Sequence, residues 1–154
     1  MSNVVSFQPK HPPVGAPDLV QLFQTLKAFA VVASVQAEKA RTLDKLVGAY
    51  ANWLRRYYEI GGAVRSAFEH AEEDVRLRGG EADEDRIDLI IDCLAKIETR
   101  VKGPHPWLSL PSRSRTGDQI ARILSSMAIE LTKAVEAAEA IGKHVPRPGS
   151  GGAA

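Results

Sequence analysis

Cysteine is almost missing from this chain: Cys93 is the only one in 154 residues. One thiol excludes an intramolecular disulfide framework and a Cys-based zinc finger. Net charge is nearly nil as well, +1 at pH 7, so no whole-protein field draws the chain to nucleic acid or to an anionic membrane. Long hydrophobic runs are short in supply. The longest uncharged apolar-leaning run, AFAVVASVQA at residues 28–37, covers ten residues, about half of what a spanning helix needs. The opening residues, MSNVVSFQPKHPP, have neither a basic n-region nor a long apolar h-region, and no secretory signal is expected. These exclusions favour a cytoplasmic protein of bacterial type, without membrane association.

What is present is a composition able to fold: 44% hydrophobic and 25% charged residues, in a chain of the right length for one domain with a real core. Charge is unevenly spread. Residues 1–68 carry net +4, residues 69–98 net −7 and residues 99–122 net +4. An acidic block between two basic ones suits internal helix pairing or self-association through complementary patches, and equally a set of solvated helix faces.

Periodicity points to helices throughout. Prolines at 9, 12, 13 and 17 deny helix to most of residues 1–17, which read as an extended arm carrying Val4, Val5 and Phe7. From Asp18 a seven-residue apolar repeat runs through Leu19, Leu26, Ala33, Ala40, Val47 and Leu54, and through Leu22, Phe29, Leu43, Tyr50 and Tyr57, broken only by Gln36. That pattern predicts one long coiled-coil-like helix to about Tyr58, roughly 60 Å in length. Ala33, Ala37 and Ala40 make its middle small enough for a neighbour to approach closely. Gly61-Gly62 reads as a turn, or as a kink in a continuing helix. Residues 63–78 then present Val64, Ala67, Phe68, Ala71 and Val75 on one face and end at Gly79-Gly80. A third helix opens on Asp83, Glu84 and Asp85, shows Ile87, Ile90, Ile91, Leu94, Ile97 and Val101, and stops at Gly103-Pro104. A fourth starts at a capping box, Thr116 to Gln119, and keeps a seam of Ile120, Leu124, Met127, Leu131, Ala134, Ala138 and Ile141 before Gly142.

The expected fold is therefore all-α: an antiparallel four-helix bundle with a long first helix. Residues 1–17 form an arm, 18–143 the bundle domain and 144–154 a flexible tail. The apolar surplus on the first helix calls for cover, and a homodimer is the simplest source.

Catalytic chemistry finds little support. A di-iron bundle needs Glu-x-x-His on two helices, and the motif does not occur. His70 lies within helical reach of Glu73 and Asp74, an arrangement that any acidic helix face offers. Cys93, on a seam flank of the third helix, has no evident base or orienting partner, so it reads as a small buried or half-buried thiol. No metal and no cofactor are expected. The segment from Thr116 resembles a helix-turn-helix opening only briefly, because its apolar period runs straight on.

One stretch stands apart. Residues 103–115, GPHPWLSLPSRSR, set Trp107, Leu108 and Leu110 among Pro104, Pro106 and Pro111, with Arg113 and Arg115 following. The stretch is longer than the usual bundle connection. It can plug the bundle end, or it can recognise a partner, since Trp and Arg are enriched at binding hot spots. Arg55 and Arg56, followed by Tyr57 and Tyr58, form a second cluster that can contact an anion or nucleic acid, or can lay arginine stems over aromatic rings. The expectation is a non-enzymatic protein-interaction module, an adaptor, assembly factor or small regulator, that binds another protein through Trp107, Leu108, Leu110, Arg113 and Arg115. The alternative is a dimeric nucleic-acid-associated accessory protein using Arg55, Arg56 and the 103–115 loop.

Overall fold

The computed structural model describes the backbone of residues 16–103 and 113–142, and the side chains of residues 18–103 and 117–142. The described residues form four α-helices and no strand: α1 Ala16–Lys39, α2 Leu43–Arg78, α3 Glu81–Lys102 and α4 Arg113–Ala140. α1 packs most extensively on α4 and next on α2; α3 packs on α4, while α2 touches α3 and α4 more sparsely. Ser34 meets Ala121 and Ser125, and Ala37 lies beside Gly117. On the other flank of α4, Arg86 reaches Ala140. The molecule is a helical bundle.

One core runs through all four helices. The seam expected for α4 is buried at every position, Ile120, Leu124, Met127, Leu131, Ala134, Ala138 and Ile141. α1 contributes Leu19, Phe23 and Leu26 and then the small residues Ala30, Ala33 and Ala37. Each large side chain among these stabilises the fold by about 1.5–3 kcal/mol through burial. The alanines do something else: they let α1 and α4 approach so closely that a Cβ on Gly117 would lie 3.4 Å from the Ala37 carbonyl oxygen. On α3 the buried line is Ile87, Ile90, Cys93, Ile97 and Val101; Leu94 is half-buried and Ile91 is exposed. The thiol therefore sits in the core face, and the two larger residues flank it.

The single long first helix is overturned. The chain breaks at Ala40–Thr42, and Thr42 caps α2 with an extended backbone (φ −128°, ψ 156°), its hydroxyl accepting the Lys45 N–H at 3.2 Å. The burial pattern explains why the heptad misled. Beyond the break the buried positions are Leu46, Ala49, Tyr50 and Trp53; of the residues that would continue the repeat only Tyr50 is among them, whereas Leu43, Val47, Leu54 and Tyr57 are exposed or half-buried. Gly61-Gly62 ends nothing. α2 runs through both glycines for 36 residues because its buried face continues across them, from Trp53 to Val64, Ala67, Ala71 and Val75. α4 starts at Arg113, so Thr116 lies inside the helix and is not its cap.

The other ends fall where expected. Gly79 (φ +75°) donates its N–H to the Val75 carbonyl at 2.8 Å, and Gly142 (φ +81°) follows α4. Both φ values lie in the left-handed region where glycine carries no Cβ penalty.

Candidate docking surface

The residues expected to bind a partner fall in two groups. Trp107, Leu108 and Leu110 lie outside the described residues. Arg113 and Arg115 belong to the first turn of α4 by backbone, so the connecting loop ends before them and not at 115. Arg55 and Arg56 are fully described and are engaged within α2 and α1. Arg55 donates to Asn52 Oδ1 at 2.9 Å. Arg56 pairs with Glu59 at 3.3 Å, and its guanidinium stacks 5.0 Å from the ring centroid of Phe29 on α1. Beside it Trp53, Tyr57 and Tyr58 form an aromatic ladder with centroid separations of 5.8 and 5.5 Å. Arg56 thus ties α2 to α1 by a cation–π contact.

His70 donates from Nδ1 to the Ser66 carbonyl one turn back, at 2.8 Å. Among the described residues, no three metal-ligating side chains gather. Cys93 is completely buried, and its thiol pKa is pushed up to about 11, first by burial and then by a hydrogen bond to Glu130 and that carboxylate's charge. A thiol in that setting stays protonated and unreactive at neutral pH. Burial likewise raises Tyr50 and Tyr57.

Sequence reasoning missed Asp83. It is the one buried charged residue among those described, with no solvent exposure. It pairs with Arg86 at 2.8 Å and with Arg78 at 3.5 Å, and accepts the Gly142 N–H at 3.2 Å. Arg86 also donates to the Ala140 carbonyl at 3.2 Å. The end of α2, the first turn of α3 and the end of α4 are knotted at this carboxylate. Asp83 was legible only as a first-turn anion; the hydrogen bond to Gly142, fifty-nine residues away, has no local signal.

The outward side of α1 is different in kind. Between Leu19 and Ala37 its exposed positions are Gln21, Gln24, Ala28, Val31, Val32, Val35 and Gln36, and none carries charge. Val31, Val32 and Val35 are 45%, 53% and 43% exposed. By length and composition Asp18–Lys39 could cross a membrane, a test that core helices also pass. Every other helix shows charged residues on its exposed side. Along one flank of α1, a groove of ≈ 440 Å³ against α4 is lined by Ser34, Glu38, Asp118, Arg122, Ser125 and Ile129. Its hydroxyls are satisfied locally: Ser34 donates to the Ala121 carbonyl at 3.0 Å, which leaves Ser125 as donor to Ser34 at 2.9 Å. No base stands in line with either serine in that chain of bonds. The arrangement offers an apolar strip beside a hydrogen-bonding groove, which is the make-up of a recognition surface.

The fold and this surface define a class, an all-helical four-helix bundle with one uncharged, solvent-facing helix side. No protein-family model matches the chain, and neither does any curated protein or solved structure.

Proposed function

We propose that this protein is a non-enzymatic interaction module, an adaptor, assembly factor or small regulator, that self-associates and works in the cytoplasm by binding another protein. The observation that carries this reading is the outward side of α1: its seven exposed positions between Leu19 and Ala37 carry no charge, in a chain that is 25% charged. Isolated exposed apolar residues need no explanation, whereas a contiguous strip marks an interaction site. The residue pairs that join α1 to α4 and α3 to α4 run in opposite directions along the chain, which supports an antiparallel bundle. The seven-residue spacing of α1 supports coiled-coil-like packing against its neighbours.

The segment around Trp107, Leu108, Leu110, Arg113 and Arg115 is the second part of the proposal, as a docking element beside α4. For nucleic acid, no contact among the described residues adds support, since Arg55 and Arg56 already hold Asn52, Glu59 and Phe29.

The test is capture from native extract in the presence of nuclease, with three baits: wild type, Val31→Glu/Val35→Glu, and Trp107→Ala/Arg113→Ala/Arg115→Ala. A protein held by wild type and released by either variant supports the reading and identifies the face used. Equal capture by all three baits, or capture lost on nuclease treatment, would overturn it.

A further inference from the structure

The exposed stripe of α1 has a symmetry of its own. Gln21, Gln24, Ala28, Val31, Val35 and Glu38 recur at alternating three- and four-residue steps along one helix face, the spacing of a coiled-coil seam. Set against an antiparallel copy of itself, the stripe is its own complement. Ala28 meets Val31, Gln24 meets Val35 and Gln21 meets Glu38. We infer that this face docks a second copy of the chain, α1 against antiparallel α1 about a two-fold axis. The inference rests on the interaction-module reading and names the surface and the occupant.

Three observations favour a copy over a foreign partner. An isologous interface must tolerate every residue facing its own patch, and like charges brought together oppose association. The stripe carries no charge between Asp18 and Glu38 on its exposed side, so self-pairing meets no such repulsion, while a partner selected by charge finds nothing to hold. The ends differ in charge: Asp18 stands at the start, whereas Glu38 and Lys39, with Arg41 just past the helix, give the finish a net +1. Antiparallel pairing brings the acidic end of each copy to the basic end of the other and opposes the two helix dipoles. The central contact residues, Ala28, Val31 and Val35, are also small, so two helix backbones can approach closely at the middle of the stripe.

The size of the contact sets its strength. The stripe from Gln21 to Glu38 is about 26 Å long and ~10 Å wide, on the order of 250 Å² from each copy, against roughly 800 Å² for a standard interface. Ile129 of α4, 57% exposed and bordering the α1 groove, adds apolar area at the edge. The dimer therefore belongs at the weak end of specific complexes, dissociating in the micromolar range.

Light-scattering mass of the purified full chain, from ~1 to ~100 µM, tests this directly. Wild type should climb from 16.7 kDa towards twice that mass. Val31→Glu/Val35→Glu should stay at one chain mass with unchanged helical circular dichroism, its association at least about a hundredfold weaker. Ala28→Lys/Val31→Glu, which sets opposite charges face to face in the antiparallel register, should recover more association than Val31→Glu alone. A wild type that stays monomeric throughout overturns both this inference and self-association. A dimer that persists in Val31→Glu/Val35→Glu overturns the α1 face alone. A monomeric wild type that floats with neutral phosphatidylcholine vesicles, and loses that property in the same variant, overturns the inference by making lipid the occupant.

Discussion

The Asp83 knot and the outward side of α1 are opposite solutions to the problem of a polar backbone wrapped around an apolar core. At the knot, charge goes inside: one buried carboxylate holds Arg86, Arg78 and the Gly142 amide, and fixes three helix ends to one another. On α1, apolar side chains go outside: Val31, Val32 and Val35 keep about half of their surface open to solvent. A buried charge is tolerated only where its partners are in place, so the knot is over-determined and structural. The open part of an apolar strip gains nothing for the isolated fold, and its use comes from association.

The largest effect should follow from breaking the knot. Asp83→Ala leaves the Gly142 amide without its acceptor and removes one acceptor from each arginine, with Arg78 keeping Asp74 and Arg86 keeping the Ala140 carbonyl. Losing one side of a buried ion pair costs about 3–5 kcal/mol, and the partial exposure of both arginines lowers that to about 3 kcal/mol. Urea unfolding of the variant checks it. A loss below about 1 kcal/mol would mean that the knot behaves as a surface salt bridge, and the contrast with α1 would collapse.

Cysteine chemistry separates interior from face by reactivity. Cys93, at a pKa of about 11, should react with a thiol reagent at pH 8 at least about a hundredfold more slowly than free cysteine. Val35→Cys in a Cys93→Ala background should react at close to the free rate. The same shift has a pH consequence. A thiol whose folded pKa lies above its unfolded value of roughly 8.5 contributes stability that is complete below that pH. The contribution is lost as pH rises through about 11. Tyr50 and Tyr57, raised by burial, act with the same sign at higher pH. Melting temperature should hold to about pH 8.5 and then fall, less steeply in Cys93→Ala.

How far the sequence discloses the fold is clearest at two points on α2. The chain breaks at Thr42, where there is neither glycine nor proline, and continues through Gly61-Gly62, where there are two glycines. The α4 seam and the ends at Gly79, Gly103 and Gly142 were readable because periodicity and glycine agreed there; the count of four helices matches only because the missed break at Thr42 offsets the turn expected at Gly61-Gly62. At Thr42 the heptad of α1 happened to stay in phase with Leu43, Val47 and Leu54 of α2, which lie off its core face, as well as with Tyr50, which lies on it, and so it masked a local signal. That signal is basic Lys39 and Arg41, then a capping Thr42, then acidic Asp44. The docking strip was hidden for a related reason. Apolar residues lie on more than one side of α1, and only the positions of α2 and α4 show which side is left over. Thr42→Ala should cost about 1 kcal/mol of stability. Gly61→Ala should add about 0.5–1 kcal/mol, since a Cβ there meets nothing within 4 Å. Chemical denaturation of the two variants resolves both signs. A loss from Gly61→Ala would place a kink at the glycine pair.

The smallest expected change in stability is the one that sharpens the comparison most. Val31→Glu/Val35→Glu replaces two residues that are 45% and 43% exposed with better helix formers, so intrinsic propensity improves while a little apolar burial is lost. Under conditions where the chain is monomeric, the two effects should nearly cancel, within about 0.5 kcal/mol of wild type. Thermal unfolding at ~1 µM, below the expected dissociation range, makes the measurement free of any contribution from association. At ~100 µM the wild type should melt higher than the variant, because a ligand that binds only the folded state stabilises it by mass action and here the ligand is the chain itself. A variant that loses about 2 kcal/mol even when dilute would show that Val31 and Val35 belong to the core of the monomer. The strip would then be part of the fold, as the Asp83 knot is, and not a surface held open for a partner.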